Sequence, residues 1–206
     1  RLLFGRAFWH LGKYNAARAP IEQAMLLAQT AGLKPLEADC LRNLGNVHWL
    51  LGDYDHTLAC YQQAFEIFHS IGDRQGEITC LTSMGTITMG SGNYAIARRV
   101  YEQALHACQE TGDRHKEAMV LNNLGSLAQK HGNYLSSRVS YEQSLSNCRA
   151  TGDRWSEGIV LSNLSLIEHS LGNHAQAYEE ALRSETIMRE LNNRSGLGAA
   201  LTHMGH

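Results

Sequence analysis

The sequence predicts an all-α solenoid of about five stacked antiparallel helix pairs, and three observations lead to this prediction. First, residues 121–145 match residues 81–105 and 41–65 at a constant spacing of 40 residues. Second, glycines recur in one register, at Gly12, Gly52, Gly92, Gly132 and Gly172. Third, the apolar residues of each 40-residue repeat follow helical spacing. A fixed period of this length is typical of proteins whose repeats stack side by side.

Each repeat begins with an amphipathic helix, here named helix A. In the fourth repeat, Leu121 and Leu124 belong to one apolar stripe at helical spacing. Gly125 lies inside this helix, where glycine is less favourable than alanine by about 1 kcal/mol. The same glycine returns as Gly45 and Gly85. We therefore predict a close helix crossing at this position, which a larger side chain would block.

Two tight turns complete the repeat and connect helix A to a second amphipathic helix, here named helix B. Gly132 suits the left-handed conformation that ends a helix, and Asn133 suits the N-cap of the next helix. After helix B, Gly152 and Asp153 repeat this arrangement before the following helix A. A glutamate then falls in the first helical turn, where a negative charge is favourable, at Glu77, Glu117 and Glu157.

Leu-Gly, aromatic and small residues recur at set offsets within the repeat. The Leu-Gly pair is Leu44-Gly45 and Leu124-Gly125. The aromatic residues are Tyr14, Tyr54, Tyr94 and Tyr134 at one position, and Tyr61, Tyr101 and Tyr141 at another. The small residues are Ala17, Ala97 and Ala177 at one position, and Ala24, Ala64 and Ala104 at another. This pattern resembles tetratricopeptide repeats, lengthened by about six residues from their usual length of about 34.

The resemblance implies a right-handed superhelix whose helices A line a concave surface. The 40-residue form with Gly-Asp-Arg turns is similar to the repeats of Pins-type spindle-orientation adaptors. It is equally similar to repeat arrays in bacterial multidomain signalling ATPases and transcriptional regulators. Repeat arrays use such surfaces to bind partners, so the resemblance implies a role in protein–protein interaction.

We predict a single repeat array over residues 1–206. Its repeats span about 1–31, 34–71, 74–111, 114–151 and 154–191, and residues 195–206 begin a further helix. The fifth repeat departs from the pattern, because Ser165 replaces the helix A glycine, His174 the first tyrosine and Ala181 the second. Both ends of the chain lie within the pattern of a helix A, so we expect a fragment of a longer protein.

Composition and charge argue against several classes of protein. The net charge is −2 and the basic residues are scattered, which disfavours an extended nucleic-acid surface. No apolar run reaches the roughly 18 residues of a membrane span. The five cysteines have neither a disulfide nor a zinc pattern, since Cys40 and Cys80 share one helix A register and Cys108 and Cys148 one helix B register. Buried thiols in a reducing compartment explain them, and we expect a cytoplasmic protein.

The positions that the family resemblance places on the concave surface form a stripe along helices A. This stripe is too polar for a core and too low in lysine and glutamate for an ordinary solvated face. Its candidate peptide-binding residues are Arg6, Trp9, Asp39, Arg42, Asn43, Asn46, Trp49, Thr82, Thr86, Asn122, Asn123, Ser126, Gln129 and Asn163. An asparagine amide both donates and accepts, which suits the backbone of an extended peptide. The alternative is that these asparagines cap helices or bond a neighbouring repeat.

Aromatic and basic residues mark one end of this stripe. Trp9 and Trp49 share a register and lie near Arg6 and Arg42 in the pattern. Tryptophan and arginine are frequent at binding hot spots, so this end is a candidate anchor for an acidic partner or a terminal carboxylate. The alternative is that each tryptophan packs between adjacent helices A.

Catalytic and metal-binding patterns are weak. His56 and Cys60 lie four residues apart on one helix, but no third ligand is evident in the sequence. No phosphate-binding loop, catalytic triad or pair of carboxylates emerges. We therefore predict no enzyme activity, no cofactor and no metal. The predicted function is a non-enzymatic module that binds a peptide or protein segment, as the scaffold or sensor arm of a larger signalling protein. The alternative function is a structural array that associates with itself through its exposed terminal helices.

Overall fold

A computed structural model describes residues 14–191 of the chain. Within this range all regular secondary structure is helical. The helices are α1 (Tyr14–Thr30), α2 (Lys34–Leu50), α3 (Tyr54–Ser70), α4 (Arg74–Gly90), α5 (Tyr94–Thr111), α6 (Arg114–Lys130), α7 (Tyr134–Thr151), α8 (Arg154–Ser170) and α9 (His174–Glu190). Helices α2, α4, α6 and α8 are the predicted helices A, and the odd-numbered helices are the predicted helices B. The all-α fold built from helix pairs is therefore confirmed.

The turns between helices have the geometry that the sequence predicts. Gly132 has a φ of +70°, a left-handed conformation that glycine adopts without steric penalty. The side chain of Asn133 then caps α7 by accepting a hydrogen bond from the backbone N–H of Ser136 at 3.2 Å. Asp153 caps α8 in the same way, with the N–H of Ser156 at 3.0 Å. Equivalent caps form at Asp53, Asp73 and Asp113.

The chain divides into two compact units, Arg1–Ala104 and Leu105–His206, and the boundary lies within α5. In the first unit, α2 packs between α1 and α3, and α3 also packs against α4. Side chains of α1 and α2 form a core there, with Ala17, Ile21, Ala24, Cys40, Leu44 and Val47. The prediction of one continuous array over the whole chain stays a prediction.

In the second unit, α7 packs between α6 and α8, and α8 also packs against α9. The two helices A of this unit, α6 and α8, touch each other as well. The core of the unit contains Ala118, Tyr141, Leu145, Cys148, Val160, Leu161, Leu164, Ile167 and Ile187. This contact between consecutive helices A is what the stacking of repeats requires.

The glycine inside helix A lies against the second tyrosine of helix B, as predicted for a close crossing. A Cβ atom on Gly125 would lie 2.6 Å from Cε1 of Tyr141, and one on Gly85 would lie 2.5 Å from Cε1 of Tyr101. Both tyrosine rings are fully buried. Since real Cβ atoms do not approach carbon this closely, only glycine fits without a shift of the ring or the helix.

In the fifth repeat, both the glycine of helix A and the tyrosine of helix B are replaced, and the two new side chains again match in size. Ala181 stands at the position of Tyr141, Ser165 stands at the position of Gly125, and both are buried. Because an alanine leaves free the volume that a tyrosine ring fills, helix A accepts a side chain at residue 165. The glycine and the tyrosine therefore act as a matched pair.

The glutamate in the first turn of helix A makes contacts that the sequence did not predict. Glu157 is 7% exposed, and its carboxylate accepts hydrogen bonds from Arg154 at 2.6 Å and from Arg149 at 3.0 Å. Arg149 belongs to the last turn of the preceding helix B, so the glutamate joins two helices across their turn. Equivalent bonds to both sides form at Glu37 and Glu77.

All five cysteines lie within the described residues, and all are free thiols. Cys40, Cys80, Cys108 and Cys148 are buried among apolar side chains, and Cys60 is half-buried. Burial raises the pKa of the Cys108 thiol to about 12. A thiol that holds its proton so firmly is a poor nucleophile and a poor metal ligand.

Candidate functional site: a cleft between two helices A

The structure places the predicted stripe residues in several different environments. Arg6 and Trp9 lie outside the described residues. Asn43 is fully buried, and its amide donates to the backbone carbonyl of Asp39 at 2.6 Å. The expectation that Asn43 lies open to a partner is therefore wrong. It fails because the amide turns back onto its own helix, where the carbonyl one turn earlier is the nearest acceptor.

The other predicted residues of the first unit are accessible to different degrees. Asp39 and Arg42 form an ion pair at 2.8 Å, so the charge of Arg42 is already neutralised by a neighbour. Thr82 is half-buried, and its hydroxyl donates to the carbonyl of Ile78 at 2.7 Å. Trp49 is 47% exposed, so its indole ring is not enclosed between helices.

The stripe residues at one position of helix A form hydrogen bonds with the second tyrosine of helix B. The Tyr61 hydroxyl donates to the side-chain oxygen of Asn46. The Thr86 and Tyr101 hydroxyls lie 3.0 Å apart, and so do those of Ser126 and Tyr141. The Tyr141 hydroxyl also lies 3.3 Å from Gln129 Oε1. Asn46, Thr86, Ser126 and Gln129 thus contact helix B of their own repeat, which differs from the bonding to a neighbouring repeat that the alternative interpretation expects.

A cleft of about 410 Å³ opens in the second unit between α6 and α8. Asn122 and Asn123 of the predicted stripe line it, together with Ala118, Met119, Trp155 and Ile159. Met119 is 46% exposed and Trp155 is 44% exposed, which is unusual for large apolar side chains that flank a concavity. Two exposed apolar side chains with polar amides between them are the features of a binding site.

The side-chain amides of this cleft differ in which of their hydrogen-bonding groups are already occupied. The Asn163 side chain donates to Asn122 Oδ1 at 2.9 Å and so connects α8 to α6. This bond engages the side-chain oxygen of Asn122. Among the described residues, no group is hydrogen-bonded to the Asn123 side chain. Asn123 therefore retains both a donor and an acceptor for a ligand.

The ionisable side chains among the described residues that line the cleft are one histidine and one carboxylate. Nδ1 of His115 lies 3.1 Å from a carboxylate oxygen of Asp153. Burial by itself would raise the pKa of Asp153, but hydrogen bonds from Ser156 and the nearby His115 lower it below its ordinary value. Asp153 is thus ionised at neutral pH. The residues of the described range that line the cleft include no lysine or arginine.

Sequence reasoning found the asparagines of this cleft but missed Trp155, His115 and Asp153 as parts of it. Trp155 lies in the first turn of α8, outside the stripe that the family resemblance supplied. Its register in the other repeats holds Pro35, Gln75 and His115. A large aromatic residue at a position that holds none in the other repeats is the signal that could have identified Trp155.

The described helices include none that is long and apolar enough to cross a lipid bilayer. No match to the sequence exists among curated proteins. Several solved structures share the fold at low sequence identity. BtubC (BKLC) from P. vanneervenii is 20% identical with a TM-score of 0.80, and the match covers 91% of this chain and 78% of that one.

Two further similar structures are longer proteins. One is a signal transduction ATPase with numerous domains (STAND) that carries a tetratricopeptide repeat sensor, from Pyrococcus horikoshii. It is 17% identical, with a TM-score of 0.84, over 98% of this chain and 31% of that one. The other is a Rap protein solved in complex with Competence and Sporulation Factor, 13% identical, with a TM-score of 0.81, over 95% of this chain and 55% of that one. The chain thus spans about a third to a half of these two proteins.

The model of the tetratricopeptide repeat family matches residues 1–70 and 77–150, which is more than half of the chain. The repeat pattern, the capped turns and the glycine–tyrosine crossings agree with this match. The chain belongs to the tetratricopeptide repeat family.

Proposed function

We propose that this chain is a non-catalytic interaction module, and that the cleft between α6 and α8 binds an extended segment of a partner protein. An apolar side chain of the partner enters between Met119 and Trp155. The partner's backbone bonds the amides of Asn122 and Asn123. The single observation that carries this proposal is the pair of half-exposed apolar side chains beside Asn123, whose amide has no hydrogen-bond partner among the described residues.

The energetic reason lies in the surface that binding would cover. An aromatic side chain buries a large apolar area when a partner packs on it. Trp155 lies in the first turn of α8, two residues after the Asp153 N-cap, so its backbone is ordered before binding. A preorganised anchor loses little conformational entropy on binding, which favours affinity.

The charge of the cleft defines the class of partner. Asp153 supplies a negative charge, and the described residues that line the cleft include no lysine or arginine. The acidic partner expected from Arg6 and Arg42 is not part of this proposal, since Arg42 is paired with Asp39. We propose a segment with an apolar anchor residue and a neutral or basic flank.

Selection from a random peptide library displayed on phage tests this proposal, with the 206-residue chain as bait. We expect enriched peptides to share an apolar residue and to bind the Trp155→Ala variant about thirtyfold more weakly, as for a hot-spot residue. Trp49→Ala is the matched control, because Trp49 is exposed to a similar degree in the first unit. It should bind the selected peptides as the original chain does.

Asn123→Ala adds a second measurement, with an expected loss of about fivefold for one hydrogen bond of about 1 kcal/mol. Circular dichroism checks that each variant keeps the helical content of the original chain. If Trp155→Ala and Asn123→Ala bound the selected peptides with unchanged affinity, the cleft would not be the binding site. A loss confined to Trp49→Ala would move the site to the first unit.

We also propose that the module is the scaffold or sensor arm of a larger cytoplasmic signalling protein. The similar STAND protein uses a tetratricopeptide repeat sensor, which supports this role. The five free cysteines suit a reducing compartment.

A further inference from the structure

A group of potential metal ligands lies in the first unit, at the turn between α2 and α3. His48 belongs to the last turn of α2, Asp53 caps α3, and His56 belongs to the first turn of α3. This group belongs to the first unit, whereas the cleft belongs to the second, and it has no part in the proposed function. Sequence analysis paired His56 with Cys60 instead, but burial raises the pKa of the Cys60 thiol and so disfavours the thiolate that a metal needs.

The three side chains converge on one point. Nδ1 of His48 lies 3.2 Å from one carboxylate oxygen of Asp53, and Nδ1 of His56 lies 2.9 Å from the other. The two imidazole rings are nearly parallel, with centroids 5.2 Å apart and an interplanar angle of 19°. One ligand atom from each residue lies within 4.8 Å of the other two. Ligands at about 2.0–2.1 Å from Zn²⁺ in a tetrahedral site are separated by about 3.3 Å, so small shifts complete the site.

The chemistry of the ligands identifies the class of ion. Two imidazole nitrogens and one carboxylate oxygen suit divalent first-row transition metals, whereas Ca²⁺ and Mg²⁺ prefer oxygen ligands alone. We propose that His48, Asp53 and His56 form a binding site for a divalent transition-metal ion such as Zn²⁺, with water completing the coordination.

The other repeats show that the fold does not need these three residues. The positions that correspond to His48 hold Thr88, Ala128 and Glu168. Those that correspond to Asp53 hold Asn93, Asn133 and Asn173, and those that correspond to His56 hold Ile96, Ser136 and Gln176. The turn at Asn133 is capped by its own side chain, with alanine and serine at the positions of the two histidines. The combination at the α2–α3 turn is therefore not a requirement of the repeat.

The three side chains of this site differ in how far they are exposed to solvent. The side chain of His48 is only 10% exposed and that of Asp53 is 38% exposed, while that of His56 is 71% exposed. Two ligands are thus held by the packing of α2 and α3, and the third closes the site from the solvent side. An ion would then fasten the end of α2 to the start of α3.

Titration of the 206-residue chain with Zn²⁺ and with Co²⁺ tests the site, by calorimetry and by the visible spectrum of Co²⁺. We expect one ion per chain and a higher Tm with metal. Asp53→Asn keeps the helix cap, as Asn133 does, and removes the carboxylate. His56→Ala removes an exposed ligand. Each variant should weaken binding more than about a hundredfold, since each removes one of three direct ligands.

His174→Ala is the matched control. His174 lies at a corresponding turn of the second unit, where its Nδ1 is 3.3 Å from Nδ1 of His169 but the cap residue is Asn173. This variant should bind the ion as the original chain does. The proposal is overturned if the chain binds neither ion, if Asp53→Asn and His56→Ala keep full affinity, or if His174→Ala is the variant that loses it.

Discussion

Replacing Gly125 with alanine is expected to lower the free energy of unfolding by about 2 kcal/mol. The new Cβ atom would lie 2.6 Å from the buried ring of Tyr141, and a clash this close should cost about 3 kcal/mol, the upper part of the typical range for overpacking. Alanine in place of glycine inside a helix returns about 1 kcal/mol. The steric term exceeds the helix-propensity term here, so the net change is destabilising. Urea denaturation followed by circular dichroism measures it.

Gly45→Ala is the internal control for this prediction. A Cβ atom on Gly45 would lie 3.2 Å from the ring of Tyr61, which a movement of a few tenths of an ångström relieves. The two terms then nearly cancel, and we expect a change of less than about 1 kcal/mol. If Gly45→Ala and Gly125→Ala had equal effects, the distance to the tyrosine ring would not be the cause.

The fifth repeat suggests a double-mutant test of the same pair. There Ser165 and Ala181 replace the glycine and the tyrosine together. In a chain that already carries Tyr141→Ala, we expect Gly125→Ala to lose its destabilising effect. The coupling free energy should be about 1–3 kcal/mol, which is typical of residues in contact. Strictly additive effects would show that the glycine and the ring do not act as a pair.

Replacing Glu180 with glutamine is expected to stabilise the protein above pH 7, by up to about 3 kcal/mol. Glu180 lies on α9, is 6% exposed, and has one carboxylate oxygen that no described group hydrogen-bonds. Burial raises the pKa of Glu180 to about 7, opposed in part by a hydrogen bond from Gln176. The negative charges of Glu168 on α8 and Glu142 on α7 raise this pKa further.

The sign of the pH dependence follows from this shift. The folded protein holds the Glu180 proton up to about pH 7, whereas the unfolded chain releases it near the ordinary value of 4.5. The folded state therefore binds more protons between these values, and the free energy of unfolding falls as the pH rises through this range. Glutamine does not titrate and keeps the acceptor for Gln176. The advantage of Glu180→Gln should be small at pH 4.5 and complete above pH 7.

The arginines near the Glu180 carboxylate do not cancel the rise of its pKa. Arg183 lowers the pKa of Glu180, but less than burial raises it. Arg138 Nη1 lies 3.9 Å from Glu168 Oε1, an ion pair too long for a hydrogen bond. Glu179→Gln is the control, since Glu179 is an exposed neighbour on the same helix. Parallel stability curves for the original chain and Glu180→Gln from pH 4.5 to 8 would contradict the prediction.

The sequence by itself determined the helices, their turns and the repeat. Gly132 and Asn133 predicted a left-handed turn and an N-cap, and the structure shows both. These signals are local, because a φ angle or a capping bond depends on residues at most three positions apart. The close crossing at Gly125 was also predicted, because a costly glycine that recurs at one position of helix A requires a reason outside that helix.

Only the tertiary structure decided which side chains meet across helices. Asn43 and Asn123 share a register in the repeat, yet Asn43 is buried while Asn123 lines an open cleft. Trp155 joins that cleft because α8 packs beside α6, a contact between residues about 40 positions apart. Burial and pairing depend on the shape and charge of the neighbouring helix, and a residue's position in the repeat does not specify them. For that reason the repeat pattern predicted the architecture, while the cleft and the histidine–aspartate cluster emerged from the packing of the helices.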